Sequence, residues 1–228
     1  MALIEKAKGR RENQSPGGYT RLFGLERLGN LMSRIQGAVI SSGSELERLI
    51  WERVNQVDDL DTFLDRTIHG GEDKIFVAIK KQIKLSTKIH SKYEPDFIGF
   101  NPHRRICYIV EVKDGDQFDT KKSSGEHATL HSFRDDISSE LPYSTSIFIC
   151  SFNAATKEEI FKGLKGKFAL TEIITGKELC DLFGINYGEI RRIRMNDQRR
   201  NLEYFIKEIL KIGAVRAIIV KLMNNPKD

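Results

Sequence analysis

The sequence is poor in cysteine, with three among 228 residues, at Cys107, Cys150 and Cys180. They are odd in number, far apart and each set among apolar residues. That excludes a disulfide framework and a cysteine zinc site, and leaves small core hydrophobes in a reducing compartment. No stretch approaches the ~18 continuous apolar residues of a membrane span. The opening residues, MALIEKAKGRRENQSPGG, place charges after a very short apolar start and lack the apolar segment of a secretory signal. A cytoplasmic protein with no membrane partner is therefore expected. Internal repeats and low-complexity tracts are absent. No glycine-rich cofactor loop opens a strand–helix unit.

What is present is a chain 39% hydrophobic and 30% charged, long enough for one sizeable core with a small appendage. Its net charge is +5. That mild excess decides nothing alone, but it is clustered. Arg191, Arg192, Arg194, Arg199 and Arg200 lie close together, as do Lys80, Lys81, Lys84 and Lys88.

Residues 1–18 are polar, with a Ser-Pro-Gly-Gly breaker, and read as a flexible N-terminal arm. Helical spacing of Leu25, Leu28, Leu31, Met32, Ile35 and Val39 predicts a helix from Phe23 to Ile40. Ser41–Ser44 should break it, with Ser44 and Glu47 forming the capping box of a second helix over 45–57. Residues 74–85 are β-rich. DFIGF (96–100) is a short strand, NPHRR a hairpin turn, and ICYIVEVK (106–113) the near-continuous apolar run of a central strand covered on both faces. Helices are predicted over 125–141, 156–166 and 176–185, and strands over 146–152 and 168–175. A long basic helix is predicted over 187–213, broken near Asn196-Asp197, and residues 214–223 fit helix or strand. The fold class is α/β: a central mixed β-sheet flanked by helices, with an N-terminal helical segment. The expected division is an arm (1–18), a core (19–186) and a basic helical C-terminal region (187–228) packed on it.

Charges in the hairpin need a reason, because a charge in a buried strand is costly unless it is paired or bound to metal. Asp96 starts one strand, and Glu111 and Lys113 end the next. In an antiparallel pair those ends lie side by side. Glu111 and Lys113, two apart, share a face. Two carboxylates with the carbonyl of Val112 offer hard oxygen ligands suited to Mg²⁺. A neighbouring ammonium can hold an attacking water, and a metal can neutralise charge on a phosphate.

Pro95-Asp96 and Glu111-Val112-Lys113 resemble the signature of the PD-(D/E)XK nuclease superfamily. Gly43 with Glu47-Arg48 resembles the G-x-x-x-E-R stretch that many members carry on the preceding helix, where the glutamate reaches toward the metal; Glu45 is the fallback. DGDQFDTKKSSGE after Lys113 and TGKELCDLFGINYGEI look like segments of type II restriction endonucleases. The resemblance implies a restriction-endonuclease-like fold and a Mg²⁺-dependent, sequence-specific cut of double-stranded DNA by a homodimer, with a cognate methyltransferase protecting the cell. It implies that Asp96, Glu111, Glu47 and Val112 hold the metal and that Lys113 positions the water. Asp116, Asp119, Lys121 and Lys122 would lie near DNA, which the arginines of 191–200 would also contact through phosphates or guanine edges. Two other readings remain open: a structure-specific repair nuclease or junction resolvase, and a non-catalytic DNA-binding protein. His127 and His131 are i, i+4 on a predicted helix, but nothing in the sequence supplies further ligands for zinc.

Overall fold

The structure, a computed structural model, describes residues 1–9, 17–115 and 120–224, with only the backbone for 120–122. Two compact units result: Glu47–Gly188, and Met1–Leu46 together with Glu189–Asp228. The division cuts differently from the sequence expectation, because the helical segment before residue 47 groups with the C-terminal helices.

Among the described residues, the first unit is built on a six-stranded sheet in the order β1 (Asn55–Gln56), β2 (Phe76–Ile79), β3 (Phe97–Asn101), β4 (Ile106–Lys113), β5 (Ser144–Ser151) and β6 (Ile173–Thr175). β2, β3 and β4 run antiparallel, while β4, β5 and β6 run parallel and β1 joins β2 in parallel. The described helices are α1 (Gly18–Phe23), α2 (Glu26–Trp51), α3 (Leu60–Arg66), α4 (Lys80–Leu85), α5 (Thr120–Ser138), α6 (Lys157–Gly163), α7 (Gly176–Phe183), α8 (Tyr187–Leu210) and α9 (Gly213–Asn224). The fold is thus α/β, a mixed central sheet flanked by helices.

Alternation along the strands explains the apolar runs. Ala78, Ile98, Phe100, Cys107, Ile109, Ile147 and Ile149 form one core with Phe63 of α3, Phe133 and Ile137 of α5, and Ile160 of α6. On the opposite face, Phe97 meets Phe183 of α7 edge-on, with ring centroids 6.0 Å apart. β4 is covered on both sides, so its sequence cannot alternate between apolar and polar. Gly176 at the start of α7 is required by close approach: a Cβ there would lie 2.2 Å from the carbonyl oxygen of Phe152.

Three expectations are corrected. Ser41–Ser44 do not break the chain, since α2 runs through them unbroken. Serine and glycine each weaken a helix interior by less than ~1 kcal/mol. Ser42 bonds back to the Ala38 carbonyl at 3.3 Å and stays within the helix. Asn196-Asp197 likewise do not interrupt α8. The β-rich stretch 74–85 divides after Ile79, where α4 begins and the Gln82 side chain accepts the Ile79 N–H at 3.3 Å.

In the helical unit, residues 1–9 are held rather than loose. Ile4 is buried with Leu31 and Ala38, against Tyr204, Phe205 and Ile209. Its N–H donates to Asn201 Oδ1 at 2.8 Å. The remainder of the expected arm, 10–16, lies outside the described residues.

Candidate active site

The β3–β4 hairpin pairs Phe97 with Val110, which brings Asp96 beside the last residues of β4. Asp96 is 3% exposed. Its Oδ2 accepts the Val112 N–H at 2.8 Å, and its own N–H donates to Glu111 Oε2 at 3.3 Å. Lys113 Nζ donates to Glu111 Oε1 at 2.6 Å. Four of the backbone and side-chain groups named from the sequence are therefore joined at the C-terminal end of one central strand. Glu111 and Lys113 have the parity of Cys107 and Ile109, so they face the side of the sheet that α5 covers.

Two partners were not read from the sequence. Lys80, in the first turn of α4, pairs with Asp96 Oδ1. In the sequence it is one of four clustered lysines with Lys81, Lys84 and Lys88; the turn into α4 aims it at the carboxylate. Lys84 pairs with Glu94 at 3.1 Å, and Lys88 with Asp65. Glu126 of α5 meets Lys113 Nζ at 2.8 Å. Its sequence signal is faint, one glutamate among the polar residues of α5's first turns.

Glu47 belongs to this cluster. Because α2 is continuous, no helix starts at Ser44 and Glu47 closes no capping box. Burial raises its pKa first, and the charge of Asp96 adds to that, while Lys80 and Lys113 oppose. Burial, then the neighbouring Asp96 charge, pushes Glu111 up to about 7 against the pull of Lys113. Burial disfavours the Lys113 ammonium, but Glu111 and Glu126 outweigh it and hold its pKa above the ordinary value. Lys80 behaves alike, with burial outweighed by Asp96. The cluster combines crowded carboxylates with two fixed ammonium groups, a set able to bind cations and phosphate oxygens and to orient water.

The other named residues divide. Glu45, the fallback, is engaged within the helical unit, 3.1 Å from the Met1 ammonium and 3.7 Å from Arg194. Arg194 is 4% exposed and also reaches Met1 Sδ at 2.8 Å. It is an interior side chain, and the expectation that it contacts DNA is corrected: helical periodicity turns it inward while Arg191 and Arg192 are exposed. Arg199 pairs with Glu203 at 3.3 Å and Arg200 with Glu5 at 2.9 Å. Asp116, Asp119 and the side chains of Lys121 and Lys122 lie outside the described residues. His127 and His131 do gain a third neighbour, Glu172, from the 3-10 helix before β6.

No family model matches the chain, and no solved structure matches it. The chain is 43% identical over 227 residues to the type II restriction enzyme HhaII of Haemophilus parahaemolyticus, across 97% of this chain and 99% of that protein. Likeness of that degree along both chains sets aside the structure-specific and the non-catalytic readings, and the chain belongs to the type II restriction enzymes, the site-specific deoxyribonucleases.

Proposed function

We propose that the chain is a Mg²⁺-dependent endonuclease of the PD-(D/E)XK kind, with Asp96, Glu111, Lys113 and Glu47 as its cutting site. The observation that carries this is the bonded group at the end of β4: Asp96 to Val112 N–H, Asp96 N–H to Glu111, and Glu111 to Lys113. A surface ion pair would account for one of these contacts, but not for a buried aspartate tied to both neighbours of the strand end.

The donor set fits the ion. Asp96, Glu111 and Glu47 are hard oxygen donors, and the pKa values of Glu111 and Glu47 are raised first by burial and then by the Asp96 charge, both of which a divalent cation would offset. These carboxylates, with the carbonyl of Val112, would hold it. When bound, Mg²⁺ supplies neutralising charge to the scissile phosphate and acidifies a water. Lys113, held by Glu111 and Glu126, orients the attacking water, whose oxygen forms the new bond to phosphorus as the bond to the leaving sugar oxygen breaks. Burial keeps bulk water from competing for these charged groups.

Double-stranded DNA reaches this site with help from Arg191, Arg192, Arg199 and Arg200, and from Lys121 and Lys122. The protein acts as a homodimer, matching a two-fold site in DNA. Leu202, Ile206, Ile218, Leu222 and Met223 are exposed apolar side chains on α8 and α9 that a second copy can cover. A cognate methyltransferase shares the cytoplasm with it. Among the described residues no helix is long and apolar enough to cross a membrane.

The test is cleavage of plasmid DNA in Mg²⁺ beside a gel-shift in Ca²⁺. Asp96→Ala, Glu111→Ala and Lys113→Ala should each lower the cutting rate by ~10³-fold or more, which corresponds to about 4 kcal/mol of transition-state stabilisation. Lys113→Ala should still shift DNA. A folded Glu111→Ala protein that cuts at the wild-type rate would overturn the assignment.

A further inference from the structure

We propose that His127, His131 and Glu172 form a binding site for one zinc-type divalent transition-metal ion, built from none of the residues of the cutting site. The inference is independent of the nuclease reading. Among the described residues, these three alone among His, Cys, Asp and Glu bring three donor atoms within 4.8 Å of one another. At the end of β4, Asp96 is bonded to Lys80 and Glu111 to Lys113.

The trio is assembled from two places. His127 and His131, four residues apart on α5, project from one helix face, and their ring centroids are 4.0 Å apart. Phe168 meets the His127 ring edge-on at 4.9 Å and restricts its rotation. Glu172 ends the 3-10 helix Leu170–Glu172, where its Oε2 accepts the Ala169 N–H at 2.9 Å. That bond orients the carboxylate and leaves Oε1 3.0 Å from His131 Nε2. A metal-bound carboxylate is characteristically held by such a second bond.

His131 Nε2 is the informative atom. It is buried and, although Oε1 is 3.0 Å away, the pair lacks the direction of a hydrogen bond. An ordinary histidine–glutamate ion pair would point the N–H at the oxygen. A shared cation instead needs the nitrogen lone pair and the carboxylate oxygen to face a common point. Ligands at ~2.1 Å in a tetrahedral site lie roughly 3.4 Å from each other, so the donors need only small side-chain rotations to close on an ion. His127 Nε2 is already 3.9 Å from Glu172 Oε2.

The chemistry selects the ion. Two imidazoles and one carboxylate suit Zn²⁺ and its neighbours and disfavour Mg²⁺ and Ca²⁺, which take all-oxygen shells. The three side chains are 36%, 25% and 21% exposed, so an ion can arrive from solvent and a water can complete the coordination. Bound there, the ion would tie α5 to the segment leading into β6.

The experiment strips the full chain with a chelator, removes the chelator, and measures Zn²⁺ binding by equilibrium dialysis, with Co²⁺ absorption as a second readout. One Zn²⁺ should bind per chain and raise the melting temperature. His131→Ala, His127→Gln and Glu172→Gln should each weaken binding at least tenfold and abolish the zinc-dependent rise in melting temperature. Asp96→Asn should leave both unchanged. The proposal fails if the stripped protein takes up no zinc, or if a folded His131→Ala or His127→Gln protein binds it as tightly as wild type. It also fails if uptake is lost in Asp96→Asn, which would assign the zinc to the cutting site.

Discussion

In Glu47–Gly188, Phe100, Phe133, Phe152 and Phe168 are all but sealed from solvent, and the buried carboxylates Asp96 and Glu111 are paired with lysines at one strand end. In the helical unit the proportions are reversed. Its core is small, centred on Ile4, Leu31 and Ala38, while Leu202, Ile206, Ile218, Leu222 and Met223 face outward. The first unit has the interior that stability and chemistry need. The second has surplus apolar surface and unevenly distributed arginines, the composition of a region that meets other molecules.

Truncating the sheet core should have the largest effect. Phe133→Ala removes a fully buried ring packed between α5 and the sheet. A loss of about 3–5 kcal/mol is expected in a denaturant titration. A loss under ~1 kcal/mol would erase the contrast between the units, since that is the scale of a surface substitution.

Arg194→Ala sharpens the contrast within one helix. The substitution leaves Glu45 without its buried partner and should lower stability by about 2 kcal/mol. The salt dependence of DNA binding should stay as in wild type. Replacing the exposed Arg191 and Arg192 should flatten that salt dependence, because fewer counterions are released. A flattened slope in Arg194→Ala would return this residue to the DNA surface.

The smallest effect on folding belongs to Leu202→Ser. This leucine is 62% exposed, so the stability of the isolated chain should change by less than ~0.5 kcal/mol. Sedimentation should nonetheless show weaker self-association. Unchanged association would remove this position from the contact between copies.

The hairpin was legible in the sequence because its signals are local. Continuous apolarity marked β4 from Ile106 to Lys113, and charges only at the matching ends put Asp96 beside Glu111. Lys80 could not be placed at the site because β-rich residues on both sides concealed a helix start after Ile79. The breaks expected at Ser41–Ser44 and Asn196-Asp197 rested on weak propensities, which long helices override. Glu126 and Glu172 were illegible in a stronger sense. Glu126 reaches Lys113 only once α5 folds back along β4, and Glu172 reaches α5 only after the β5–α6–β6 connection, and no spacing rule encodes that. Arg194 was miscounted because a cluster of arginines says nothing about which one faces inward.

The ladder between β3 and β4 works as a ruler whose zero lies at the strand ends, not at the turn. Residues added between His103 and Arg104, the exposed pair of the turn, would lengthen the interval between Asp96 and Glu111 while the pairing of Phe97 with Val110 is kept. One residue deleted inside β4 would do the opposite, rotating Glu111 to the far face of the sheet while barely changing the interval. Sequence distance between the two carboxylates is therefore free to drift, and strand parity is not. A flexible tag or sensor loop grafted at the exposed His103 and Arg104 would thus sit beside a strand that tolerates no change of parity.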